Sequence, residues 1–348
     1  MGIKSLPDYL RKEKIPCFLI LPMTALSGQR VGVDYLNWIF TYLPQAFKRA
    51  YNFNSNYLDI VCQEKLFKEL VIELTRFNNK FLNYKITPVW ICDGISKDNK
   101  TATKVERRKS RKDNIIKRDN LRELLLSQSP LERDPAVIEE YKKSVLKCQY
   151  IESKSIEKLK DICKYMGLPT IIAEDEAENL ASSLAVERKI SAVWSADTDT
   201  YPLGAPLVIK GFDNINGELH IKCAFTLKML QGLDMNHEEF RDFCILLGTD
   251  FNNNLEGIGP SKSRILIEKY RTLERIQEET KHNLEGFIDY KNIRKQLTPY
   301  KTEYTCVDLQ VDKNIDLEKL KMVCDIIEMD MLYQNIIDLP PSRGCLRY

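Results

Sequence analysis

Residues 171–201 read IIAEDEAENLASSLAVERKISAVWSADTDTY. Glu176 and Glu178 open an Ala-rich helical pattern. The apolar run 190–194 then reads as a strand buried on both faces, with Asp197 and Asp199 just past its end. In open parallel sheets ligands bind beyond the carboxyl ends of the strands. Two further short apolar runs end the same way, 30–33 at Asp34 and 88–92 at Asp93. Three strands thus aim acids at one crevice, and the helix start carrying Glu176 and Glu178 lies beside it. Carboxylates at this density repel one another unless cations neutralise them. Hard oxygen donors of this kind suit Mg²⁺, with Mn²⁺ able to substitute. The expectation is a divalent-metal site on an α/β fold, with a mostly parallel central sheet flanked by helices.

A chain of 348 residues can bury a large core, and 43% hydrophobic with 29% charged residues is an ordinary globular balance. No apolar run is long enough for a membrane span, and no signal-peptide pattern is present. The start MGIKSL misses a myristoylation pattern, because Leu6 stands where Ser or Thr is needed. Ten cysteines occur without a C-x-x-C pair, which argues against a zinc site. It also argues for a reducing, intracellular compartment, nucleus or cytoplasm. The net charge of +2 hides a local asymmetry. Residues 97–118 hold ten Lys/Arg against Asp98, Glu106 and Asp113, an excess of +7. A basic surface beside an acidic metal crevice fits a polyphosphate substrate better than a small neutral one.

Along the chain, residues 1–26 read as a short helix and a loop holding Pro16 and Pro22. The strand at 30–34 leads into an aromatic-rich helix with Tyr35, Trp38, Phe40 and Tyr42. Val61, Leu66, Leu70, Leu74 and Phe77 recur at helical spacing over 58–81. After the strand at 88–93 and Gly94, a charged helical region too polar to be core runs to about residue 164. Its tip is SQSPLERDP at 127–135. A helix over 155–166 returns to the sheet and ends at Gly167 and Pro169. Beyond the opening stretch come a strand at 206–210 and a helix over 238–247, which Gly248 breaks before Asp250. A tight Gly257-Ile258-Gly259-Pro260 turn precedes a helix over 261–270, and 317–324 reads as helical. The expected units are 1–96, a helical insertion 97–165, 166–275 and 276–348, without internal repeats.

The ordered set of motifs is informative: MGI at the start, VGVD at 31–34, WICDG at 90–94, AEDEAE at 173–178, SADTD at 195–199, LLGTDF at 246–251 and GIGPSKS at 257–263. Over about residues 1–325 the chain resembles the flap endonuclease and XPG-like structure-specific 5′ nucleases. That resemblance implies a PIN-like nuclease fold, a charged helical arch around the 5′ end and a C-terminal helix–two-turn–helix that grips duplex DNA. It also implies two Mg²⁺ ions held by Asp34, Asp93, Glu176, Glu178, Asp197, Asp199 and Asp250. Two metals about 4 Å apart can supply both the nucleophile and leaving-group stabilisation for phosphodiester hydrolysis. Asp197 and Asp199 can face one side of an extended segment. Glu176 and Glu178 diverge on a regular helix, so they converge only if Glu176 sits at an irregular first turn or one acts through water.

Lys97 and Lys104 are seven apart on one helical face and match the basic pair that reaches over the scissile phosphate in the family. Counting from Asp93 instead points to Lys100. Arg107 and Arg108 read as phosphate contacts. By the same resemblance Phe40 stacks on a base beside the cut, against the alternative of a core aromatic. Gly2, after removal of Met1, would bring a free amine to the site. Gly257, Gly259, Lys262 and Arg264 would hold duplex phosphates, with a K⁺ ion on the hairpin carbonyls. His220, His237 and His282 match nothing in the pattern.

The implied activity is metal-dependent 5′ endonuclease or exonuclease cleavage near flaps, nicks or junctions, by a monomer on branched or nicked DNA without membrane attachment. No sliding-clamp motif is recognisable near the C-terminus and no basic tail follows, which suggests a compact or viral-type member. Two alternatives stay open: a catalytically silent relative that binds nucleic acid, and an RNA 5′-exonuclease.

Overall fold

Val89, Trp90, Ile91 and Cys92 are all buried, and alternate residues enter opposite apolar clusters because the strand lies between two helical layers. The computed structural model describes residues 2–3, 5–51, 57–59, 61–94, 101–252, 254, 257–280, 289–312 and 317–327, except for the side chains of 101–108, 317 and 324–327.

In chain order the described elements are α1 (Leu6–Lys12), β1 (Phe18–Pro22), β2 (Arg30–Asp34), α2 (Tyr35–Ala50), α3 (Gln63–Leu82) and β3 (Thr87–Cys92). Then follow α4 (Thr101–Ser127), α5 (Pro135–Lys147), α6 (Ser153–Tyr165), β4 (Thr170–Ile172), α7 (Ala177–Val186) and β5 (Ala192–Trp194). The remainder comprises β6 (Leu207–Ile215), β7 (Glu218–Phe225), α8 (Thr226–Leu233), α9 (His237–Leu247), α10 (Pro260–Tyr270), α11 (Leu273–Glu279), α12 (Tyr290–Gln296) and α13 (Leu317–Ile327). None of the described helices is long and apolar enough to cross a membrane.

One seven-stranded sheet runs β1-β7-β6-β5-β2-β3-β4. The pairs β6–β5, β5–β2, β2–β3 and β3–β4 are parallel, while β6–β7 and β7–β1 are antiparallel. From β2 the chain winds outward through β3 to β4, then returns to place β5 on the other side of β2. The order therefore reverses between β2 and β5, and a crevice opens beyond the carboxyl ends at such a point. Asp34 ends β2, and Asp197 and Asp199 follow β5.

The antiparallel edge departs from the sequence reading. Residues 18–22 form β1 rather than loop; Pro22 is tolerated because β1 is an edge strand, where a missing N–H costs no ladder bond. β6 extends to Ile215 and turns into β7 through Asn216 and Gly217, at φ of 54° and 85°. Asn-Gly between two strands is a hairpin signal that the sequence does contain.

The helical insertion also differs from expectation. α4 and α5 pack on each other, and Leu125, Tyr141 and Val145 are buried in the same cluster as α2 and α3. A few apolar residues suffice to dock a highly charged helix pair, so average polarity misjudged this segment. On the opposite face α7 lies close to the sheet. A Cβ on Gly32 would stand 2.6 Å from Ile190 Cδ1 and 3.7 Å from Ala181 Cβ. The glycine of the VGVD motif thus lets α7 settle against β2, which sets the height of its N-terminus over the strand ends.

Candidate metal-dependent active site

Each acid of the crevice is held by local backbone chemistry. Asp34 is the N-cap of α2 and accepts from the Asn37 amide at 3.0 Å. Asp93, just past β3, accepts from the Ala177 amide at 2.7 Å and so binds the first turn of α7 to the adjacent strand end. Glu176 is the N-cap of α7, with φ −98° and ψ 138°, and Glu178 lies in the first helical turn. The extended cap is the irregularity that two glutamates at i and i+2 need in order to converge. Beyond β5, the Asp197 amide donates to Ser195 Oγ at 3.0 Å and the Asp199 amide to Asp197 Oδ1 at 3.3 Å. The amide of Gly2 donates to Asp250 Oδ1 at 3.3 Å, which brings the N-terminal segment to the loop after α9. Capping alone would account for Asp34 and Asp93. It does not account for acids from five separate parts of the chain meeting at one switch point.

The electrostatics record that meeting. Burial pushes the Asp34 carboxyl up to about 7 against the help of the Asn37 amide, and Asp93, Asp197 and Glu176 raise it further. Asp34, Glu178, Asp197 and Asp199 are buried, Glu176 and Asp250 half-buried, and Asp93 exposed. Among the described residues no three His, Cys, Asp or Glu side chains close into a ready-made metal cage. The donor set nevertheless suits Mg²⁺, which keeps several waters and binds through one or two carboxylates plus substrate phosphates.

A stability consequence follows for Asp34. Its folded pKa lies above the unfolded value near 4, so between about pH 4 and pH 7 the folded chain holds a proton that the unfolded chain has released. This group therefore costs stability as pH rises through that window. In EDTA, Asp34→Asn should gain stability relative to wild type from about pH 4 to pH 7. A flat difference in melting temperature would mean that Asp34 ionises normally.

One neighbour of the acids carries no motif signature. Lys210 in β6 donates to the Asp197 carbonyl at 2.9 Å and lies over the Tyr201 ring, 4.7 Å from its centroid. Burial lowers its pKa to about 8, opposed by Asp197, Glu178 and Asp199. Sequence reading missed it because a single lysine at the end of a strand is an ordinary solvated residue.

Models of the XPG N-terminal domain and of the XPG I-region match residues 1–114 and 167–250, together more than half of the chain. The chain belongs to the XPG family. It is 30% identical over 308 residues to flap endonuclease 1 of Theileria parva, covering 87% of this chain and 58% of that protein. The chain thus spans less than two thirds of that relative's length. Among solved structures it is similar to flap endonuclease-1 from Methanococcus jannaschii, with TM-score 0.61, 19% identity and coverage of 97% and 98% of the two chains. Human GEN1 in complex with Holliday junction DNA gives TM-score 0.62 at 15% identity, covering 97% of this chain and 77% of that one. Both structures share the fold.

The two XPG regions hold all seven acids, while the second half of α4, α5 and the 257–264 hairpin lie outside them. Lys97 and Lys100 fall outside the described residues, and Lys104, Arg107 and Arg108 lie on α4 where side chains are not described. Phe40 is 54% exposed on α2, so the core reading of it is excluded.

At the hairpin the position in the left-handed region that favours glycine is Gly257, at φ 73°. Gly259 has φ −92° and ψ −178°, an extended conformation open to any residue. Lys262 Nζ donates to the Gly257 carbonyl at 2.9 Å, so a side-chain cation already serves one carbonyl expected to face K⁺. Arg264 is engaged by Glu268 at 2.6 Å and Glu13 at 3.5 Å. His220 bonds the Glu218 carbonyl and His237 packs near Gly204, and His282 is outside the described residues.

Proposed function

We propose that the chain is a structure-specific 5′ nuclease that hydrolyses phosphodiester bonds in branched or nicked DNA with two divalent cations. The observation that carries this reading is the convergence of acids at the β2/β5 switch point, where Asp93, Asp197 and Glu176 all act on the buried Asp34 carboxyl. Asp34, Asp93, Glu176, Glu178, Asp197, Asp199 and Asp250 would hold the ions directly or through water. Bound Mg²⁺ supplies Lewis-acid stabilisation and a hydroxide nucleophile at neutral pH.

The chain's own part is placement. By the family resemblance, Lys97, Lys100, Lys104, Arg107 and Arg108 would supply positive charge to the DNA strand. Exposed Phe40 offers a stacking face for an unpaired base. The 257–264 segment, with Lys262 and Arg264, grips duplex phosphates through the α10 N-terminus, independently of sequence. A DNA partner is in line with human GEN1, whose structure holds junction DNA. A full set of seven acids favours an active enzyme over a silent relative.

The deciding experiment is one Mg²⁺ assay across 5′-labelled flap, nick, bubble, four-way junction, single-stranded DNA and RNA. Cleavage concentrated at a branch or nick in DNA is expected. Preferential RNA digestion would replace this reading with that of a 5′-exonuclease on RNA, and no cleavage of any substrate would end both.

The hairpin supports a separate expectation. Gly257→Ala places a Cβ at positive φ and should weaken binding by about tenfold on substrates with a long duplex arm. Gly259→Ala should weaken binding far less, since the extended backbone of Gly259 is open to any residue. Affinity measured against arm length, with Ca²⁺ blocking cleavage, checks this. Equal losses at every arm length would show that the hairpin is not a distinct duplex grip.

A further inference from the structure

Lys210 reaches the acids through an irregularity of the sheet. Ile209 stands opposite Cys223 and Gly211 opposite Lys222, so the β6–β7 register slips and Lys210 is the extra residue. A bulge of this kind re-aims one side chain, and bulges are over-represented beside active sites. Here the ammonium is fixed by two contacts, the hydrogen bond to the Asp197 carbonyl at 2.9 Å and the Tyr201 ring at 4.7 Å. Tyr201 itself is fully buried, so the ring is a rigid support. The carboxylates of Glu178, Asp197 and Asp199 all act on this one cation.

We infer that Lys210 is a charge-balancing positioning residue, which clamps the turn bearing Asp197 and Asp199 and offsets their charge in competition with divalent cations. The inference rests on the metal-site reading above and concerns how tightly the ions are held. A fixed positive charge beside the ligands stabilises the fold when no ion is bound and weakens ion binding by repulsion. Removal of the charge alone should therefore move two measurements in opposite senses. Ion affinity rises while the metal-free fold loses stability. A lysine that served only as a structural clamp would not tighten ion binding when replaced, because loosened ligands hold an ion less well.

Lys210→Gln keeps a donor for the Asp197 carbonyl and removes the charge. Lys210→Met removes both, and Lys210→Arg keeps both. Mn²⁺ binding is followed by electron paramagnetic resonance without DNA, and thermal melting is measured in EDTA. The Gln variant should bind Mn²⁺ about tenfold more tightly, the scale of one unit charge acting on a divalent ion across a partly aqueous gap. In EDTA it should melt about 2–4 °C lower. The Arg variant should stay within about twofold of wild type in affinity, well inside that tenfold electrostatic scale. Unchanged or weaker Mn²⁺ binding by Gln overturns the inference, and this reading survives even if Met fails to fold. If wild type takes up no Mn²⁺, the metal-site reading falls and takes this one with it. That result is distinct from a wild type that binds alongside an unresponsive variant.

Discussion

Asp197→Asn and Asp199→Asn should each slow single-turnover DNA cleavage by about a thousandfold or more, while DNA affinity stays equal or tightens slightly. Both side chains are buried at the β2/β5 switch point, and Asp197 is among the groups that raise the Asp34 pKa. An amide cannot supply the anionic oxygen that a hard divalent ion needs, so Lewis-acid assistance worth several kcal/mol is lost. Loss of a negative charge near the phosphates meanwhile eases repulsion of DNA. Quench-flow rates with saturating enzyme, paired with binding in Ca²⁺, separate the two effects. Rates within about tenfold of wild type for both variants, only about 1.4 kcal/mol in the barrier, would remove these residues from the reaction.

Gly2→Ala should also slow cleavage strongly although it adds a single methyl group. Gly2 is buried at φ 88°, and a Cβ there would stand 2.1 Å from Asp197 Oδ1, 2.6 Å from Thr198 Oγ1 and 2.8 Å from Asp199 Oδ1. Either the N-terminal segment withdraws or the two aspartates turn aside. Displacements of about 1 Å at reacting groups can cost about a hundredfold in rate. We therefore expect a drop of about that size in single-turnover cleavage, with weaker Mn²⁺ binding. Gly28→Ala is the control, since Gly28 also has positive φ, 76°, but has nothing within 4 Å of its Cβ position. It should lower the melting temperature through backbone strain and leave the rate alone. A Gly2→Ala enzyme with wild-type rate would mean that the N-terminal segment does not shape the site.

The same pair of cases separates what was readable in the sequence from what was not. Short apolar runs ending in Asp34 and Asp93, and the run before Asp197 and Asp199, are local signals, because a strand between two helical layers must be apolar throughout. The order of motifs from MGI to GIGPSKS carried the family, and it survives whatever the strands do in space. Position within the sheet is another matter. Nothing in the run at 30–34 says that β5 will return beside it, yet that reversal is what turns scattered acids into one crevice. The approach of Gly2 to Asp197 and Asp199 spans nearly two hundred residues of chain, and its tightness exists only after the sheet has closed around it. Average polarity hid the docking of α4 and α5, because burial of Leu125, Tyr141 and Val145 depends on a few residues finding a partner surface. Lys210 is the extreme case. Its residue type is unremarkable in sequence, and a one-residue slip in register alone decides that its charge faces the aspartates. Chemistry written into consecutive residues was legible from the chain; chemistry made by register and strand order was decided by tertiary structure, since side-chain direction in a sheet reverses with every single residue of shift.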